Sequence, residues 1–122
     1  MQDYHLTNDF TRMEMACKCG CGKCVMRFRF MLKLQKLRTR LDRKVIVESG
    51  FRCPAWNLAK GGAENSRHME GIAADIKVLD SADRMRVIRW ALHLNFGGIG
   101  INKTTIHLDD RLDCPQVLVH YY

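Results

Sequence analysis

The chain has no long hydrophobic run. Its 122 residues are 47% hydrophobic, but no stretch approaches the roughly 20 apolar residues that a membrane-spanning helix needs. No transmembrane segment is expected. Residues 1–10, MQDYHLTNDF, lack the basic start and apolar stretch of a secretory signal. The expectation is cytoplasmic synthesis without a signal peptide. Internal repeats and low-complexity linkers are also missing. The length suits one domain with its own core and is too short for two of ordinary size. A single domain over residues 1–122 is expected, as a monomer.

Acidic side chains are in deficit, with 13 Asp+Glu against 20 Lys+Arg and a formal charge of +7. A basic surface favours an anionic partner, whether nucleic acid, lipid headgroups or a polyanionic cell wall, and does not choose among them. Much of the excess lies between Lys18 and Lys44. There Phe30, Leu34, Leu37 and Leu41 recur at helical spacing. This predicts a core helix over about residues 24–43 with a basic outer face. A membrane-surface or nucleic-acid role is the sharper alternative.

Cysteine is abundant instead, with six in all and four at Cys17, Cys19, Cys21 and Cys24. In a reducing compartment these point to thiols or a metal site rather than to disulfides. Two readings stand for the four. They close around one structural metal ion, or they are buried and free thiols, because alternating cysteines differ from the separated pairs of ordinary zinc knuckles.

Along the chain, residues 4–15 read as an arm laid over the domain, so that residues 1–24 form an arm with the cysteine cluster. Residues 45–47 are β-branched and read as a strand ended by Ser49-Gly50. A short helix over 55–60 should stop at Gly61-Gly62. Residues 72–78 read as a buried strand. Asp80 or Ser81 caps a helix running to Asn95, with Met85, Ile88, Trp90, Leu92 and Leu94 as its apolar positions. Residues 96–101 and 104–108 form a hairpin through Asn102-Lys103, and residues 116–122 a last edge strand.

The chemistry centres on residues 66–76, SRHMEGIAADI, which set His68 and Asp75 seven residues apart. A zinc centre needs a third ligand. His107 on the strand 104–108 can supply it if that strand lies beside the one carrying Asp75. Two imidazoles and a carboxylate suit Zn2+ and leave its fourth position open. The bland alternative is a polar core in which His68 and Asp75 bond to each other. Asp109 shares a strand face with His107. It is the candidate general base, or else a residue that orients a zinc histidine.

Residues 49–54 (SGFRCP), Asn57, residues 61–68 (GGAENSRH), 71–76 (GIAADI), 97–101 (GGIGI) and 106–109 (IHLD) together resemble the zinc D-alanyl-D-alanine carboxypeptidase family. That family includes bacterial cell-wall carboxypeptidases, L-alanyl-D-glutamate endopeptidases of phage lysis and the zinc domain of hedgehog proteins. The matching core covers about residues 45–110. The resemblance implies a small α+β fold, an antiparallel sheet flanked by helices, of the hedgehog/DD-peptidase type. It implies zinc held by His68, Asp75 and His107, with Arg52 binding a substrate carboxylate or the developing oxyanion. The substrate would be a peptidoglycan stem peptide, cut at an amide bond in cell-wall lysis or remodelling after release of a phage-type enzyme. Nucleic acid is not the expected partner. Several branches of the family carry a catalytic glutamate three residues before the last zinc histidine, where this chain has Thr104. That departure keeps a second reading open, a zinc-containing wall-binding or structural module without catalysis.

Overall fold

In a computed structural model, residues 3–120 are described. Short strands β1 (His5–Thr7) and β2 (Phe10–Thr11) pair antiparallel and lead into the single turn α1 (Arg12–Met15). Thr11 and Glu14 form a reciprocal capping box at its start, which satisfies amides that a one-turn helix would otherwise leave open. This arm does more than lie over the domain. Phe10 and Met15 are almost fully buried and belong to the main core.

The long helix α2 (Phe28–Leu41) buries Phe30, Met31, Leu34, Leu37 and Leu41. All four apolar positions expected from the spacing therefore face inward, and Met31 widens the stripe. The basic outer face is partly structural. Lys33 and Arg29 both reach Asp110, at 2.6 and 3.0 Å, and Lys33 Nζ also donates to the Asn95 carbonyl.

Then follow β3 (Val47–Ser49), α3 (Pro54–Ala59), β4 (Ala73–Lys77), α4 (Ser81–His93), β5 (Gly98–Ile101), β6 (Thr105–Asp109) and β7 (Val117–His120). The five later strands form one sheet in the order β3-β4-β6-β5-β7. It is antiparallel except at its edge, where β7 runs parallel to β5. The fold is α+β, as expected. Residues 121–122 of the expected last strand lie outside the described residues.

Strand alternation divides the sheet into two chemically different faces. Ala74, Ile76, Ile99, Ile106 and Leu108 join the apolar cluster containing the buried face of α2 and Val87 and Ala91 of α4. Asp75, His107 and Asp109 belong to the other set of alternating positions. The stripe of α4 differs from the expected one. Met85 and Leu92 are exposed, while Asp83, Val87 and Ala91, spaced by four, turn inward. Asp83 is tolerated there because Arg43 pairs with it, Nε donating to Oδ1 at 2.9 Å, and because the Leu79 amide donates to its other oxygen.

Phe30 has no exposed surface and meets Phe96 edge to face, with ring centroids 6.1 Å apart. Phe30→Ala should lower the unfolding free energy by about 3–5 kcal/mol. Leu32→Ala, on the exposed side of the same helix, should change it by less than about 1 kcal/mol. Urea denaturation of the two variants checks this pair of values.

Candidate metal centre

The antiparallel register of β4 and β6 sets Asp75 directly opposite His107. Side chains of such a pair leave the sheet on the same side. His68 arrives from a different source. It sits in the turn-rich segment before β4 and is nearly buried. One ligand atom from each of His68, Asp75 and His107 lies within 4.8 Å of the other two. Asp75 Oδ1 is 3.3 Å from His68 Nε2 and 3.0 Å from His107 Nδ1. The three side chains singled out in the sequence therefore meet at one point.

Each histidine is held from behind. His68 Nδ1 lies 2.8 Å from the carbonyl of Gly50, which fixes the ring with Nε2 toward Asp75. His107 Nε2 lies 2.7 Å from Asp109 Oδ2, which turns Nδ1 toward Asp75, 3.0 Å away.

Asp109 is fully buried. Both its oxygens are engaged: Arg111 Nε donates to Oδ1 at 2.9 Å and Arg111 Nη2 to Oδ2 at 2.7 Å, and the Arg111 amide adds a third bond. The carboxylate needs Gly98 opposite it in β5, because a Cβ at that position would overlap both of its oxygens. Asp109 thus shares a face with His107, as expected, and lies against its far nitrogen.

Arg52 is also here. Its Nε donates to Ser49 Oγ at 3.0 Å, Nη1 to Asn57 Oδ1 at 3.4 Å and Nη2 to Asp75 Oδ2 at 3.2 Å. Asn57 is itself buried and donates to the Ala63 carbonyl. A cleft of about 680 Å³ opens above these groups, lined by Arg52, Lys60, Arg67, His68, Asp75, His107 and Arg111 among others. Asp75 is the only carboxylate among its described lining residues. Thr104, where several family branches have a glutamate, is exposed at the β5–β6 turn.

The electrostatics follow from burial and pairing. Desolvation opposes ionisation of Asp75, but hydrogen bonds from His107 and His68 outweigh it and hold the carboxyl well below its usual range. Asp109 is lowered in the same way, with burial opposed by Arg111 and His107. Burial disfavours a charged His107, yet the two flanking carboxylates win and raise it to about 9. The donor set of two imidazoles and one carboxylate, with one ligand atom of each within 4.8 Å of the others, matches zinc.

Sequence reasoning missed Arg111, which lies just beyond the stretch that carried the resemblance, and the parts played by Ser49, Asn57 and the Gly50 carbonyl. A basic residue two positions after a strand carboxylate is too common a pattern to single out Arg111. It also missed the fourth member of the cysteine cluster. Cys17, Cys19 and Cys21 gather with Cys53, while Cys24 packs against the apolar core instead.

In metal-free protein the raised His107 stabilises the folded state fully below its ordinary value of 6.5, and that contribution disappears as pH rises to about 9. The unfolding free energy of chelator-treated protein should therefore fall between those limits. The fall should be absent in His107→Gln, with urea midpoints measured across the pH series as the check.

The Peptidase M15 family model matches residues 8–109. A zinc D-Ala-D-Ala carboxypeptidase of Streptomyces albus G is 49% identical over 47 residues, which cover 38% of this chain and 18% of that protein. The chain therefore aligns with less than a fifth of that relative's length. Two groups of described residues could hold a metal ion. With most of its length matched, the chain belongs to the Peptidase M15 family.

Proposed function

We propose that the protein is a zinc-dependent peptidase that hydrolyses an amide bond of peptidoglycan stem peptides, next to a free carboxylate. The observation that carries this reading is the meeting of His68, Asp75 and His107 on the floor of a cleft whose charged walls are mostly cationic. In this reading those three residues are the zinc ligands. Zinc, when bound, supplies a Lewis acid that polarises the scissile carbonyl and acidifies water. The relative's printed name, a zinc D-Ala-D-Ala carboxypeptidase, supports the same substrate class.

The remaining roles belong to the chain. Arg52 binds the substrate carboxylate. A guanidinium offers about five N–H donors in a planar fork; three are used on Ser49, Asn57 and Asp75, which fix the plane and leave two for a ligand. Lys60 adds positive charge to the cleft wall, while Arg67 and Arg111 are neutralised by Asp113 and Asp109; the added charge favours an anionic peptide over a neutral one. Asp109 is a positioning residue in this scheme. Its oxygens are taken by His107 and Arg111, so it acts by fixing the tautomer and orientation of His107 rather than by taking a proton from water.

Asp109→Asn separates the two roles weighed for that residue. As a positioning residue, its loss should weaken zinc binding by about 10–100-fold while saturating zinc restores most of kcat. A general base would instead give full zinc occupancy with kcat depressed at every zinc concentration.

A second reading is favoured by one observation, the lack of any lining carboxylate besides Asp75 among the described residues, with Thr104 in place of a glutamate. It keeps the zinc and removes catalysis, leaving a wall-binding or structural module. Digestion of purified peptidoglycan and of a synthetic stem pentapeptide, followed by mass spectrometry of the products, decides between them. Zinc-loaded protein should release D-alanine or a shortened peptide, and chelated protein and His68→Ala should not. Wall binding without product in the zinc-loaded sample would select the module.

A further inference from the structure

The second group of metal-capable side chains lies away from the cleft floor. Cys17 and Cys53 are buried and Cys19 and Cys21 exposed, yet one sulfur from each lies within 4.8 Å of the other three. Cys17 Sγ is 3.4 Å from Cys19 Sγ, and Cys19 Sγ is 3.7 Å from Cys53 Sγ. Four thiolates at about 2.3 Å from a tetrahedral zinc stand roughly 3.8 Å from one another, so the observed spacings are close to those of a filled site.

We propose that Cys17, Cys19, Cys21 and Cys53 hold a structural zinc ion, separate from the His68–Asp75–His107 centre. The local backbone is shaped for it. Gly20, between the second and third cysteines, has φ of 89°, a conformation that glycine adopts without strain and that lets alternating cysteines turn inward together. The Cys17 amide closes the loop by donating to the Lys23 carbonyl at 2.9 Å. The Cys53 amide donates to Cys17 Sγ, as amides around a metal-bound thiolate do. Four thiolates around one Zn2+ leave a double negative charge. Lys18 and Lys23 lie within the same loop, and Arg12 donates to the Gly22 carbonyl, which brings compensating positive charge.

The ion would tie the N-terminal arm to the segment that supports the cleft. Within four residues, Gly50 accepts from His68 Nδ1, Phe51 donates to the Met15 carbonyl, Arg52 carries the proposed substrate contact, and Cys53 completes the cluster. The knuckle therefore braces the wall of the cleft, and it does so whether or not the cleft is catalytic.

Metal content of protein purified anaerobically with zinc tests this. Wild type, Cys24→Ser and Cys114→Ser should each hold two zinc ions per chain. Cys53→Ser, Cys19→Ser and His68→Ala should each hold one, and Cys19→Ser combined with His68→Ala none. Cys19 is exposed, so its variant stays informative if Cys53→Ser does not fold. Cobalt substitution should give thiolate-to-cobalt charge-transfer absorption in wild type and in His68→Ala, and lose it in Cys19→Ser. One zinc per chain that disappears with His68→Ala, or a disulfide within the cluster in place of the cobalt–thiolate band, would overturn the proposal. Failure of peptidoglycan hydrolysis would leave these results unchanged, so the two readings fail separately.

Discussion

The antiparallel pairing of β4 with β6 is the constraint on which everything in the cleft depends. It places Asp75 against His107 and Ala73 against Asp109. In the same step it turns Ala74, Ile76, Ile106 and Leu108 toward the helices. Side chains alternate with a period of two, so a slip of one residue would send the carboxylate and imidazole into the apolar layer and expose the core. Hydrophobic burial on one face thereby fixes the register of ionic groups on the other. The large apolar penalty against slippage is what makes a precise polar constellation affordable in a small protein.

Charge is arranged in layers around that pairing. Buried and half-buried carboxylates each meet a basic partner: Asp75 meets Arg52, Asp109 meets Arg111, Asp110 meets Lys33 and Arg29, and Asp83 meets Arg43. Removing one member of such a pair costs far more than an exposed ion pair is worth, because the remaining charge has no water to turn to. Several of the excess basic residues are thus committed to internal structure, and the positive cleft is only part of the +7 total.

The sequence made the local features legible to the extent that they are periodic or bound to one short stretch. The α2 stripe through Phe30, Leu34, Leu37 and Leu41 has a clean helical period, and β4 and the β5–β6 hairpin follow alternation and a turn signal. His68, Asp75 and His107 could be grouped because two of them share a short segment and the third sits on a strand that needed only one assumed neighbour. What escaped was set by long-range geometry. Cys53 joins three cysteines more than thirty positions earlier, and no spacing rule announces it. Cys24 looked equivalent to its neighbours, yet the chain has turned toward the core by that point. Asp83 was hidden because a charged residue in an apolar stripe makes sense only once Arg43 is known to reach it. The parallel pairing of β7 could not be read because an edge strand of four residues has no sequence mark of its direction.

The β4–β6 pairing also fixes an order of events. The chain between these strands contains α4 and β5, and a contact that closes so long a loop forms slowly compared with a local turn. A chain growing from its N-terminus exposes His68 and Asp75 well before His107 exists. On the proposed ligand set, those two alone are too few to hold the cleft's ion firmly. The three side chains of that set come together only when β6 pairs with β4, so the cleft can hold an ion only after that long-range contact has formed.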